Sequence, residues 1–125
     1  MLTALVALSL VASAQDLRDV RGANIDLDAV PSAVVQWSMQ CTTCAAEMRD
    51  LTNRGIRVVA VSSDPPQRRS QLVPHLRARG VRASVVADPT GAAWRLVSGQ
   101  ANLPAGETVV WRGLTPTDSE AVAAR

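Results

Sequence analysis

Lysine, tyrosine and phenylalanine are absent from this 125-residue chain, histidine occurs once and cysteine twice, and charged residues make up only 19%. The lone histidine and the two cysteines supply at most three of the four ligands a closed zinc site needs, so metal would require a second chain. A net charge of +2 is too small to argue for nucleic acid or a membrane surface as partner. No apolar run reaches the roughly 20 residues that cross a bilayer, and the chain carries no low-complexity tract or internal repeat. All 13 basic residues are arginine, a sign of genome base composition rather than chemistry. The cluster Arg68, Arg69, Arg77, Arg79 and Arg82 reads as a solvated helix face, with an acidic partner surface as the alternative. The rest of the composition, 47% hydrophobic, is that of a globular domain.

The chemistry-bearing feature is Cys41-Thr42-Thr43-Cys44, which holds both cysteines of the chain. A purely structural disulfide there would gain little, because closing so short a loop removes on the order of 2 kcal/mol of unfolded-state entropy. Reversible redox exchange uses the short spacing better. An apolar run ending at Trp37 and a helical pattern from Cys44 place the pair at a strand-to-helix turn. That setting would put Cys41 at a helix N-terminus, where free N–H groups and the macrodipole favour a thiolate, with Cys44 one turn on to resolve a mixed disulfide. Metal ligation by the two cysteines, in a metallochaperone-type module, is the alternative from another class.

The first 14 residues form a short apolar run closing on Ala12-Ser13-Ala14, which fits the small-x-small cleavage rule of a secretory signal, although no Lys or Arg follows Met1. Cleavage after Ala14 would leave residues 15–125 as one domain with a modest core. A buried N-terminal helix is the competing reading of that run. Export would place the protein in an oxidising, extracytoplasmic or periplasmic compartment, soluble once cleaved, where a CxxC pair is an oxidant or needs an electron donor.

Strand and helix patterns alternate along the chain. Strands are expected over Ala33 to Trp37, Ile56 to Val61 and Ala83 to Ala87. Helices are expected from Cys44 to Arg54 with Gly55 as stop, from Asp64-Pro65-Pro66 through Leu72, Val73 and Leu76 to Gly80, and through Trp94 and Val97 after the turn Asp88-Pro89-Thr90-Gly91. Such alternation indicates right-handed βαβ units in a layered α/β sheet, with the redox turn at the C-terminal end of a central strand. His75, on the second helix, reads as a surface residue.

The stretch from Val34 to Met48, with Trp37, Cys41, Cys44 and Glu47, resembles the active-site segment of exported thioredoxin-superfamily proteins of the TlpA and ResA type. The likeness extends through Val59-Ala60-Val61-Ser62-Ser63-Asp64 and Asp88-Pro89-Thr90-Gly91 as far as Pro104. It implies a thioredoxin-like fold, a central mixed sheet flanked by helices, and thiol-disulfide oxidoreductase activity on exported proteins such as apocytochromes. It also implies protein thiol or disulfide substrates, a membrane-bound electron donor, a monomer, and no bound cofactor. By position, Cys41 matches the nucleophile and Cys44 the resolving thiol. Glu47 matches an acidic residue that could take the proton lost when Cys44 attacks, its alternative being a helix-dipole partner. Trp37 matches an aromatic that either packs the core or shields the disulfide beside the substrate.

Departures from the pattern are as informative. Thr42-Thr43 replaces the usual x-Pro between the cysteines, Gln40 replaces the residue usual before the nucleophile, and Val35 stands where classical thioredoxins bury an aspartate. Pro104, five after Gly99, matches the cis-proline whose preceding residue, Leu103, would offer its backbone to a substrate strand. The segment up to Trp111-Arg112-Gly113 is short by about one strand, so the C-terminal hairpin is expected to be shortened. In the rival alignment Pro104-Ala105-Gly106-Glu107 is itself a hairpin turn. A thiol peroxidase with Cys41 as the peroxidatic residue is a further alternative, against which Val34 and Ser38 stand where that pattern needs Pro and Thr.

Overall fold

The computed structural model describes residues 17–27, 30–99 and 108–112. Two short strands, β1 (Leu17–Arg18) and β2 (Asn24–Ile25), form an antiparallel hairpin. After them come β3 (Ser32–Trp37), helix α1 (Cys44–Asn53), β4 (Arg57–Ser62), a 3₁₀ turn (Pro66–Gln71) running into α2 (Leu72–Ala78), β5 (Ser84–Ala87), α3 (Ala92–Ser98) and β6 (Thr108–Arg112). The main sheet has the order β5-β4-β3-β6. β3 pairs in parallel with β4, and β4 with β5, while β6 runs antiparallel to β3 with Val34 opposite Val110. The sheet is therefore mixed, as expected.

Strand alternation divides the core into two layers. Ala33, Val35 and Trp37 of β3, with Val58 and Ala60 of β4, join Cys44 and Met48 of α1 and Leu72 and Leu76 of α2 on one face. Val34, Val59, Val61 and Val86 point the other way, onto Trp94 and Val97 of α3 and Leu17 and Ile25 of the N-terminal hairpin. All six residues of β3 are buried, because helices cover one face and helix and hairpin the other. Unbroken apolar runs are what such doubly covered parallel strands require.

Polar residues fasten the ends of the strands. Arg57 Nε donates to Ser32 Oγ (2.6 Å) and its terminal nitrogen to the Asp26 carbonyl (2.6 Å), tying β4 to the start of β3. At the other end of the sheet Asp88, 5% exposed, accepts from the N–H groups of Ala93 and Trp94 (2.9 Å each) and so closes the first turn of α3. Gly91 between them adopts φ +80°, which the tight Asp88-to-helix turn demands and a side chain would strain.

The expected strands and helices are present with boundary shifts of about one residue at most ends. Two features differ. The Asp64-Pro65-Pro66 start leads into a 3₁₀ turn before the helix proper begins at Leu72, since Pro65, Pro66 and Pro74 interrupt the N–H ladder. The β1–β2 hairpin was not expected, its strands being only two residues each. The shortened C-terminal hairpin is represented among the described residues by β6 alone, directly beside β3. Leu103 and Pro104, the turn 104–107 of the rival alignment and the signal-like run 1–14 lie outside the described residues.

Candidate redox site

Cys41 and Cys44 are joined as a disulfide at the turn between β3 and α1. A turn closed by Cys41 N–H donating to the Ser38 carbonyl (3.0 Å) carries the chain off β3 and up to the first cysteine. α1 then begins at Cys44, with Thr43 as its N-cap residue, making no side-chain cap. Cys41 thus lies just ahead of the helix, and Cys44 is the residue that opens it, as expected from the helical spacing that begins at Cys44. Thr42-Thr43 between the cysteines is the physical reason, since those two residues complete the approach turn before helical hydrogen bonding starts with Glu47 N–H to the Thr43 carbonyl (3.2 Å). The unsatisfied N–H groups of that first turn still lie next to the disulfide.

The two sulfurs differ in access. Cys44 is 0% exposed and belongs to the core cluster formed with Val35, Trp37 and Met48, whereas Cys41 is half-buried at its margin. A macromolecular partner can reach only Cys41. Its Sγ lies 3.8 Å from the Thr43 hydroxyl, a weak polar contact supplied by one of the residues that replace the usual proline. Val35 is wholly buried in the same cluster, so no carboxylate occupies that place under the cysteines. Glu47 is exposed on the first turn of α1.

Trp37 is only 2% exposed and lies in the cluster that contains Cys44, so its packing is with the core behind the disulfide. Its ring stacks on His75 of α2, with centroids 5.8 Å apart and planes at 28°. His75 is therefore half-buried and engaged, not the free surface residue expected from sequence. Burial, reinforced by the Arg79 guanidinium, holds its imidazole pKa below the ordinary 6.5 against the opposing pull of Asp64.

Sequence reading placed Asp64 at the opening of a helix and at the end of the matched run from Val59, without a role in the site. Its carboxylate, 7% exposed, instead turns back onto the approach turn, accepting the Met39 N–H (3.0 and 3.3 Å to its two oxygens) and the Ser62 hydroxyl (2.7 Å). Ser63 N–H donates to the Trp37 carbonyl (3.0 Å) beside it. The signal that could have found it is a Ser-Ser-Asp run directly after the apolar stretch Val58-Val59-Ala60-Val61, where buried polar side chains must find partners. Among the described residues no three His, Cys, Asp or Glu side chains converge on a possible metal position.

A fold with this strand order and a disulfide at the β3–α1 turn is thioredoxin-like, and solved structures bear that out. A secreted disulfide oxidoreductase of Mycobacterium tuberculosis, described as homologous to E. coli DsbE, is 16% identical at a TM-score of 0.55, over 90% of this chain and 98% of its own. A protein from Chlorobium tepidum, described as a thiol:disulfide interchange protein DsbE, is 19% identical at a TM-score of 0.54, over 86% of both chains. A thio-disulfide isomerase from Thermus thermophilus is 18% identical at a TM-score of 0.52, over 86% of this chain and 87% of its own. No family model matches the sequence. No curated protein matches it either. At these identities the likeness shows the fold, which is the thioredoxin-like one expected from the active-site segment.

Proposed function

We propose that the protein is a thiol-disulfide oxidoreductase that reduces disulfides of exported proteins, apocytochromes among them, through the Cys41–Cys44 couple. The observation that carries this reading is the unequal burial of two bonded cysteines, Cys41 half-buried and Cys44 wholly buried, ahead of a helix at the end of a central strand. The described relatives of the same fold support it, being named for disulfide oxidation, interchange and isomerisation.

In the reduced protein the Cys41 thiolate attacks one sulfur of a substrate disulfide, forming a mixed disulfide and releasing the other substrate sulfur as a thiolate. The Cys44 thiolate then attacks Cys41 Sγ. That step re-forms the Cys41–Cys44 disulfide and expels the second substrate thiolate, so two electrons pass to the substrate, which takes up two protons. Glu47 is the carboxylate proposed to accept the Cys44 proton, from the exposed first turn of α1. Trp37 backs the disulfide from the core, and the Leu103–Pro104 backbone is proposed to hold the substrate strand. A dithiol donor, membrane-bound in this reading, returns the two electrons. Export by cleavage of residues 1–14, a soluble monomer and independence of organic cofactors complete the proposal.

Cys41→Ser is expected to abolish disulfide reduction of an exported-type substrate. Cys44→Ser is expected to stop after the first attack and accumulate a mixed disulfide on Cys41, visible as a mass adduct removed by dithiothreitol. Full reductase activity in Cys41→Ser would overturn the proposal.

A further inference from the structure

The hydrogen bonds at the end of β4 converge on the segment that precedes Cys41. Ser62, 0% exposed, is the last residue of β4; its hydroxyl donates to the Asp64 carboxylate (2.7 Å) and accepts the Asp64 N–H (3.0 Å). That closed pair fixes the carboxylate so that both oxygens face the Met39 N–H at 3.0 and 3.3 Å. Ser63, from the same run, holds the Trp37 carbonyl through its N–H (3.0 Å) and its hydroxyl (3.4 Å). Residues 37 to 39, the whole approach to the redox turn, are thereby gathered by residues 62 to 64.

We propose that Asp64 is a positioning residue of the dithiol site: its buried carboxylate fixes the approach turn through Met39, two residues before Cys41, and places a negative charge on that turn. This rests on the disulfide-exchange reading given above. Met39 and Cys41 are two peptide units apart, so their Cα atoms are separated by at most about 7.6 Å. The carboxylate is bonded to the Met39 N–H and is 7% exposed, and a charge so buried is screened by salt less than an exposed one. Among the described residues no salt bridge reaches Asp64, and its partners are neutral donors, which orient the charge without cancelling it. The charged and titratable groups on the neighbouring elements are Glu47, Arg49 and Asp50 of α1, Arg68 and Arg69 of the 3₁₀ turn, and His75 and Arg77 of α2 with Arg79 at its C-cap. His75 feels both Asp64 and Arg79, which pull it in opposite directions.

The consequence is a directed effect on the couple. A fixed anion beside the dithiol disfavours the Cys41 thiolate and with it the reduced state, which makes the protein a stronger reductant.

Asp64→Asn separates the two parts of the role, because its amide oxygen can still accept the Met39 N–H while the charge is gone. In Asp64→Asn the pH midpoint for iodoacetamide alkylation of Cys41 in the reduced protein is expected to fall. The equilibrium with glutathione is expected to move about tenfold toward the dithiol, equivalent to about 30 mV for a two-electron couple. Asp64→Ala is expected to add faster hydrogen exchange at the Met39 amide; should it fail to fold, Asp64→Asn decides alone. An unchanged alkylation midpoint and equilibrium in Asp64→Asn would overturn the inference, as would a shift in the opposite direction. Should the wild-type protein show no reversible couple, the oxidoreductase reading would fall, while the alkylation profile would still decide whether Asp64 acts on Cys41.

Discussion

His75 shows how one side chain can report on the region behind the disulfide. It stacks on Trp37, and burial together with Arg79 lowers its pKa below the ordinary 6.5. The unfolded chain therefore binds the proton first as pH falls, so stability rises with pH between the folded-state value and 6.5 and is level above that window. Urea unfolding between pH 5 and 7.5 should show this positive slope, and His75→Gln should flatten it. A slope that persists unchanged in His75→Gln would assign it to another group. At the same scale the sequence displayed Cys41, Cys44, Glu47 and Trp37 directly, because a CxxC pair and its neighbours are local in the chain. The contacts of Asp64 and His75 were not legible, since their partners, Met39 and Trp37, are distant in sequence and only the fold brings them together.

Among the elements, α3 depends most visibly on one polar residue. Its seven residues are too few to hold a helix by propensity alone, so its start is fixed by the Asp88 carboxylate on the Ala93 and Trp94 amides and its position by the buried Trp94. Asp88→Ala should cost about 0.5–2 kcal/mol, the range for losing a helix-capping side chain, read as a lower urea midpoint at unchanged m-value. A loss below about 0.5 kcal/mol would mean that solvent replaces the cap freely. The three βα units were legible because buried parallel strands are written as continuous valine and alanine runs bounded by glycine and proline. The β1–β2 hairpin was not, for two-residue strands carry too few positions to show a period. The start of α1 at Cys44 was legible from the helical spacing that begins there.

At the scale of the molecule, the four described strands of the mixed sheet carry the disulfide at the C-terminal end of β3, which lies between β4 and β6. Parallel pairing on one side brings Ser62, Ser63 and Asp64 up against the approach turn, and the helical layer over that face buries Cys44 while leaving Cys41 within reach. Fold and redox pair were thus readable from sequence, whereas the polar fastening around them needed three dimensions. The central claim is that Cys41 and Cys44 form a working reducing couple, and it is tested most directly by equilibrating the protein in graded glutathione or dithiothreitol buffers with thiol trapping. The account predicts one reversible two-electron transition with a potential near or below thioredoxin's, about −270 mV, absent in Cys41→Ser. A potential near −120 mV would mark an oxidant instead, and the absence of any reversible transition would contradict the account outright.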